Sequence, residues 1–131
     1  MTMIFRSDLP SKVRPSRKTG LRHLLAAGTY TIGGARRLAR ETAARHEMVL
    51  IVLGVVSLLF MRASGRDIGG FCILSALLLA MEAMNTAIEV LTDHVSPEWS
   101  EPAKHAKDLG SLACGILIAV VVTYWGIVMF L

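Results

Sequence analysis

Residues 68–95 decide the fold: Ile68-Gly69-Gly70-Phe71-Cys72-Ile73-Leu74-Ser75-Ala76-Leu77-Leu78-Leu79-Ala80-Met81-Glu82-Ala83-Met84-Asn85-Thr86-Ala87-Ile88-Glu89-Val90-Leu91-Thr92-Asp93-His94-Val95. The stretch is uncharged as far as Met81, and a helix needs about 20 mostly apolar residues to cross a bilayer core. An ionised carboxylate facing lipid costs at least about 2–3 kcal/mol, so acids inside such a run face protein or water and mark a functional path. Glu82, Asn85 and Glu89 are spaced i, i+3 and i+7, which stacks them on one helical face. Asp93 continues that stripe by a turn. The reading is a membrane helix carrying an acidic, hydrogen-bonding face toward one end.

The flanking sequence supports the same class. Of the 131 residues 53% are hydrophobic, and the net charge is +4. The charge is uneven: of 14 Lys and Arg, only Arg62, Arg66, Lys104 and Lys107 follow Met48. A basic arm beside a membrane is read as binding anionic lipid headgroups, with no nucleic acid as partner. Residues 1–20 contain Pro10 and Pro15 and no apolar period, so a basic, disordered tail is expected, without the apolar core of a signal peptide. Residues 21–46 are expected to supply an amphipathic helix at the membrane surface. Spans are expected over 43–61, 68–91 and 109–131, with a cytoplasmic loop over 92–107 that contains Pro97 and Pro102. Cys72 and Cys114 read as small buried residues.

This is an all-α membrane protein with one surface helix and three transmembrane helices. The Lys/Arg bias places the amino terminus and the 92–107 loop in the cytoplasm. Glu89 and Asp93 then lie at the cytoplasmic interface, with Glu82 roughly 10 Å deeper at about 1.5 Å per residue.

Carboxylates at that depth can bind Mg²⁺, pair with a basic side chain, relay protons, or take a proton from a lipid hydroxyl. Mg²⁺ favours one or two carboxylates together with phosphate oxygens and water. Glu89 can supply one, and Glu41 another if the amino-terminal helix folds back against the second span. Lys107 can neutralise phosphate or serve as a membrane anchor. Asp108 beside it can cap the third span. The alternative reading of the Glu82–Asn85–Glu89 face is an interhelical polar clamp. No Gly-rich Lys-Ser/Thr phosphate loop is present.

Residues 82–93, followed by Ala106-Lys107-Asp108-Leu109-Gly110-Ser111, resemble the small integral-membrane diacylglycerol kinases of bacteria, a family that includes undecaprenol kinases. The resemblance covers residues 21–131. It implies ATP-dependent phosphorylation of a lipid hydroxyl, with diacylglycerol giving phosphatidic acid, by a homotrimer in the bacterial cytoplasmic (inner) membrane. Glu82 matches the catalytic base, and Glu41 and Glu89 match the glutamates that hold Mg²⁺ and ATP. Arg22, Thr29, Glu98, Trp99, Ser100, Lys107 and Asp108 match nucleotide-contacting positions. Arg22, Glu82 and Ser111 match lipid-side positions, and Asn85, Glu47 and Asp93 supporting ones. The chain departs from the family pattern at Thr29-Tyr30, at Trp99-Ser100, and at Ile32, Gly34 and Leu38. Glu41 to Glu47 and Gly110-Ser111 are closer to the diacylglycerol type than to the undecaprenol type. Two other readings remain open: an undecaprenol kinase, and a proton-coupled membrane transporter with Glu82 as carrier.

Overall fold

A computed structural model describes residues 21–131, with side chains from Ala27 onward. The tail expected over residues 1–20 and the side chain of Arg22 lie outside the described residues. Four helices follow in order: α1 (Leu21–Leu38), α2 (Thr42–Phe60), α3 (Gly65–Val95) and α4 (Glu101–Phe130). There is no strand among the described residues. The last three helices are each long and apolar enough to cross a membrane, and α1 is the most amphipathic of the four. The chain is therefore an all-α membrane protein with a surface-type helix ahead of three spans.

Two element boundaries differ from the sequence expectation. The basic segment before Met48 is not one helix. α1 stops at Leu38 instead of running to residue 46, and Glu41 sits in extended backbone at the N-cap of α2, which begins at Thr42. The break is closed by tight backbone bonds from Arg40 N–H to Arg37 O and from Glu41 N–H to Leu38 O. The loop expected over 92–107 shrinks to residues 96–100. Pro102 does not end a helix here. It lies in the first turn of α4, where its missing N–H leaves no intrahelical bond unmade, and the Ser100 hydroxyl caps that helix by accepting from Ala103 N–H. Asp108 consequently lies two turns inside α4 rather than at its start.

The turn between α2 and α3 is set by local chemistry. Arg62 N–H bonds to Leu59 O and Ala63 N–H to Leu58 O, a Schellman closure with Arg62 in the left-handed region at φ 58°. The Ser64 hydroxyl then caps α3 by accepting from Asp67 N–H at 3.2 Å. The resulting antiparallel hairpin brings Gly54 against the Phe71 ring, where any Cβ would collide. α4 packs most extensively on α3.

One face of α3 carries the interior of the protomer. Phe71, Ser75, Leu78, Glu82 and Asn85 are all buried, at alternating spacings of four and three that keep a single stripe pointed inward. In the half toward the Arg62 turn, Leu58, Phe71, Leu78 and Val121 form an apolar cluster. The Tyr124 hydroxyl donates to Asp67 O and the Trp125 indole N–H to Ser57 Oγ at 2.9 Å, tying α4 to the outer end. In the other half the stripe turns polar. Cys72 falls on the opposite, exposed face of α3, whereas Cys114 is buried.

Candidate active site

Glu82 is 5% exposed and Asn85 7%, with Thr86 buried beside them. Glu47 of α2, 8% exposed, faces Glu82 closely enough for their charges to interact. The Cys114 thiol of α4 lies against the Glu82 carboxyl. Three helices thus converge on one carboxyl group about two turns below the end of the stripe. The Asn85 side-chain N–H donates to Glu89 Oε1 at 3.2 Å, which orients the half-buried Glu89 carboxylate. Asn85 Oδ1 faces Gly110 on α4, and a Cβ built at Gly110 would meet that oxygen head-on. Glycine at 110 is therefore what lets α4 approach α3 at the level of the stripe.

The hairpin register locates Glu41. Glu47 lies opposite Glu82, and the six residues back to Glu41 rise about as far as the seven forward to Glu89, roughly 9–10 Å each. By that rise the two carboxylates fall at a similar level along their helices. Arg37 forms an ion pair with Glu41 from the last turn of α1. Among the described residues no group of three or more acids, His or Cys converges as a metal cage. Two carboxylates at one level nevertheless suit Mg²⁺ carried in with phosphate oxygens, because that ion keeps waters and substrate oxygens among its ligands. The donor set fits that use and does not fit a resident, fully caged metal.

One turn beyond Glu89, a polar cavity of about 420 Å³ opens between the end of α3, the connection and the start of α4. Asp93, Glu98, Trp99, Ser100, Lys107 and Asp108 all line it, so residues spread over 16 positions of sequence share one wall. Lys107 Nζ donates to Asp93 at 2.5 Å and Lys104 Nζ to Asp108 at 2.5 Å. Trp99 is 81% exposed. The connection is braced by Ser96 and Ser100, whose hydroxyls are 2.8 Å apart.

The remaining candidates are more dispersed. Thr29 lies on α1, and Ser111 is exposed on α4 one residue past Gly110. Arg22 belongs to α1, with its side chain outside the described atoms. Sequence reasoning missed three participants. Cys114 reads as ordinary apolar filler, and no local pattern gives its partner. Gly110 was visible within the Lys107–Ser111 motif, but its role as a cradle needs the α3–α4 distance. Ser75, seven residues before Glu82, continues the stripe and is buried with its hydroxyl unpartnered. The helical period points to it directly.

The arrangement places a cavity lined by both acidic and basic side chains beyond one end of the stripe and keeps a buried carboxyl, Glu82, about two turns below Glu89. Residues 29–129 match the family model described as prokaryotic diacylglycerol kinase. A diacylglycerol kinase of Sinorhizobium sp is 47% identical over 102 residues, covering 78% of this chain and 74% of the relative. The diacylglycerol kinase of Escherichia coli K12 is 33% identical over 115 residues, covering 86% and 93%. That of Haemophilus influenzae is 31% identical over 113 residues, covering 86% and 96%. A match through the surface helix and all three spans, including the carboxylate stripe and the Lys107-Asp108 wall, places this chain in the prokaryotic diacylglycerol kinase family of ATP-dependent membrane lipid kinases.

Proposed function

We propose that the chain transfers the γ-phosphoryl group of ATP to the free hydroxyl of diacylglycerol, giving phosphatidic acid, with Glu82 as general base. The observation that carries the reading is the position of Glu82. It is a buried carboxyl on the same helical face as Glu89 and Asp93, about 10 Å below Glu89, with the polar cavity opening beyond it. Phosphoryl transfer depends on alignment and charge neutralisation more than on covalent participation by the protein. The lipid hydroxyl gives its proton to Glu82 as its oxygen bonds to the γ-phosphorus. The bond from that phosphorus to the β–γ bridging oxygen breaks, and ADP leaves with the electron pair. Mg²⁺, when bound, neutralises phosphate charge. Glu41 and Glu89 would hold it, with Asn85 keeping the Glu89 carboxylate turned.

Lys107 and Asp108, together with Glu98, Trp99 and Ser100, take the nucleotide in this reading, and Lys107 exchanges Asp93 for a phosphate oxygen. Arg22 and Thr29 add contacts from α1, Ser111 lies on the lipid side, and Glu47 and Asp93 support the base and the Lys. The amino terminus is cytoplasmic, the membrane is the bacterial inner membrane, and anionic headgroups meet the basic arm. The protein works as a homotrimer. In support, Ala76, Ala80, Ala83 and Ala87 leave an exposed small-residue face on α3, which permits close helix approach.

The test is label transfer from γ-labelled ATP by the purified protein, with Mg²⁺ or with chelator, offered diacylglycerol and undecaprenol side by side. Mg²⁺-dependent label in diacylglycerol is expected. Label in the polyprenol alone would reassign the acceptor, and label in neither would overturn the reading.

A further inference from the structure

Where α4 crosses the acidic half of the stripe, it meets α3 at two successive turns. Gly110 faces Asn85, and Cys114, four residues on, lies against Glu82, three residues back. Steps of four and three in opposite directions along an antiparallel pair keep both contacts in one continuous seam. All four residues are buried. The same register continues outward through Val121 beside Leu78 and through the Tyr124 hydroxyl on Asp67 O, so contacts well outside the site fix which α4 side chain reaches Glu82.

Glu82 has few proton donors within that seam. Asn85 gives a side-chain N–H to Glu89. The group facing Glu82 from α2 is Glu47, another carboxyl. From α4 it is the Cys114 thiol, and a thiol ordinarily carries its proton at neutral pH and is a weak S–H donor. A buried acceptor is costly to leave unmet, and a long glutamate side chain loses rotamer freedom before it can serve as a base. A small apolar residue would fill the same space and offer no proton. Packing alone does not ask for sulfur here.

We propose that Cys114 is a positioning residue for the reaction: its S–H donates to one oxygen of the Glu82 carboxylate and leaves the other turned toward the lipid hydroxyl. This role rests on the lipid-kinase reading, in which Glu82 is the base. The thiol touches neither lipid nor nucleotide in it. Loss of the thiol therefore lowers kcat and leaves KM for both substrates alone.

Three substitutions in the full chain separate donor from filler. Cys114→Ala and Cys114→Val both remove the donor, one leaving space and the other filling it. Each should lower kcat about fivefold, the usual worth of one neutral hydrogen bond. Cys114→Ser returns a donor and should recover most of the lost turnover. If Val matches the parent, or Ser falls as low as Ala, the side chain is filler and the proposal fails. A change confined to either KM overturns it as well.

A second measurement needs no turnover. The chain has two cysteines, so in a Cys72→Ala background the infrared S–H stretching band belongs to Cys114, and its frequency falls when the proton is donated. The band is expected to rise in Glu82→Leu, and to rise part of the way in Glu82→Gln, which keeps a weaker acceptor. A band indifferent to both would put the proton on the thiol's own helix, on the carbonyl four residues back, and overturn the proposal. If the band responds to Glu82 while the parent transfers no phosphoryl group to any lipid, the kinase reading fails and the positioning role falls with it.

Discussion

The two ends of the α3 stripe are built on one geometry and filled with opposite chemistry. Toward the Arg62 turn, Phe71 and Leu78 meet Leu58 and Val121 in an apolar cluster. Toward the connection, the same spacing delivers Glu82, Asn85 and Glu89, met by Glu47, Gly110 and Cys114. Both ends bring backbones close with a glycine, Gly54 under the Phe71 ring and Gly110 under the Asn85 amide. Buried polar atoms without a partner occur at both, Ser75 Oγ between Phe71 and Leu78 and Glu47 Oε2 and Asn85 Oδ1 at the acidic end, but only the acidic end carries buried carboxyl groups. Apolar side-chain packing fills the first end; the second buries carboxyl and amide groups where three helices meet.

Replacing the groups of the acidic end should therefore remove activity and spare the fold. Glu82→Gln is expected to lower turnover by about 10²–10⁴-fold, the usual worth of a general base, while Mg-ATP binding, read by nucleotide titration, stays near normal. Retained turnover would show that this carboxyl is a packing element. Glu89→Gln should act on the other parameter. It is expected to raise KM for Mg-ATP about tenfold or more through loss of a charged ligand, and equal effects on lipid and nucleotide KM would count against the division of labour.

Gly110→Ala tests the boundary between site and scaffold. The new methyl would displace the Asn85 amide and break its bond to Glu89. An activity loss of about tenfold, with helix content intact by circular dichroism, is expected from such a misplacement. Gly110→Ala activity equal to the parent would mean that Asn85 moves without consequence.

At the apolar end the same logic predicts lost stability with chemistry preserved. Leu58, fully buried, should cost about 1–2 kcal/mol on conversion to Ala. That is less than in a water-soluble core, because lipid is as apolar as the protein interior and only packing is lost. Unfolding in mixed micelles reads this, with kcat of the folded fraction unchanged. Smallest is Arg62→Gly, which relieves a left-handed non-glycine residue and should stabilise by about 1 kcal/mol.

The class of fold was legible because hydropathy and length are sums over local residues. Three apolar runs and a basic amphipathic leader suffice, whichever partners they meet. The acid stripe was legible for a related reason, since helical period converts spacing into a shared face without any tertiary knowledge. The end of α1 and the start of α4 were harder. Pro102 reads as a breaker in isolation, yet it is harmless in a first turn capped by Ser100. Asp108 likewise reads as a cap until the helix is seen to begin two turns earlier.

From the residues alone came the class, the three spans and the face that Glu82, Asn85 and Glu89 share, because each depends on spacing within a single helix. Only the tertiary structure decided that Glu47 faces Glu82, that Gly110 cradles Asn85, and that Asp93 and Lys107 close on one another across the connection. Those contacts depend on the register and distance between helices. The register is set by side chains far away in sequence, at Gly54 and Phe71 and in the Arg62 turn, and no local pattern encodes it.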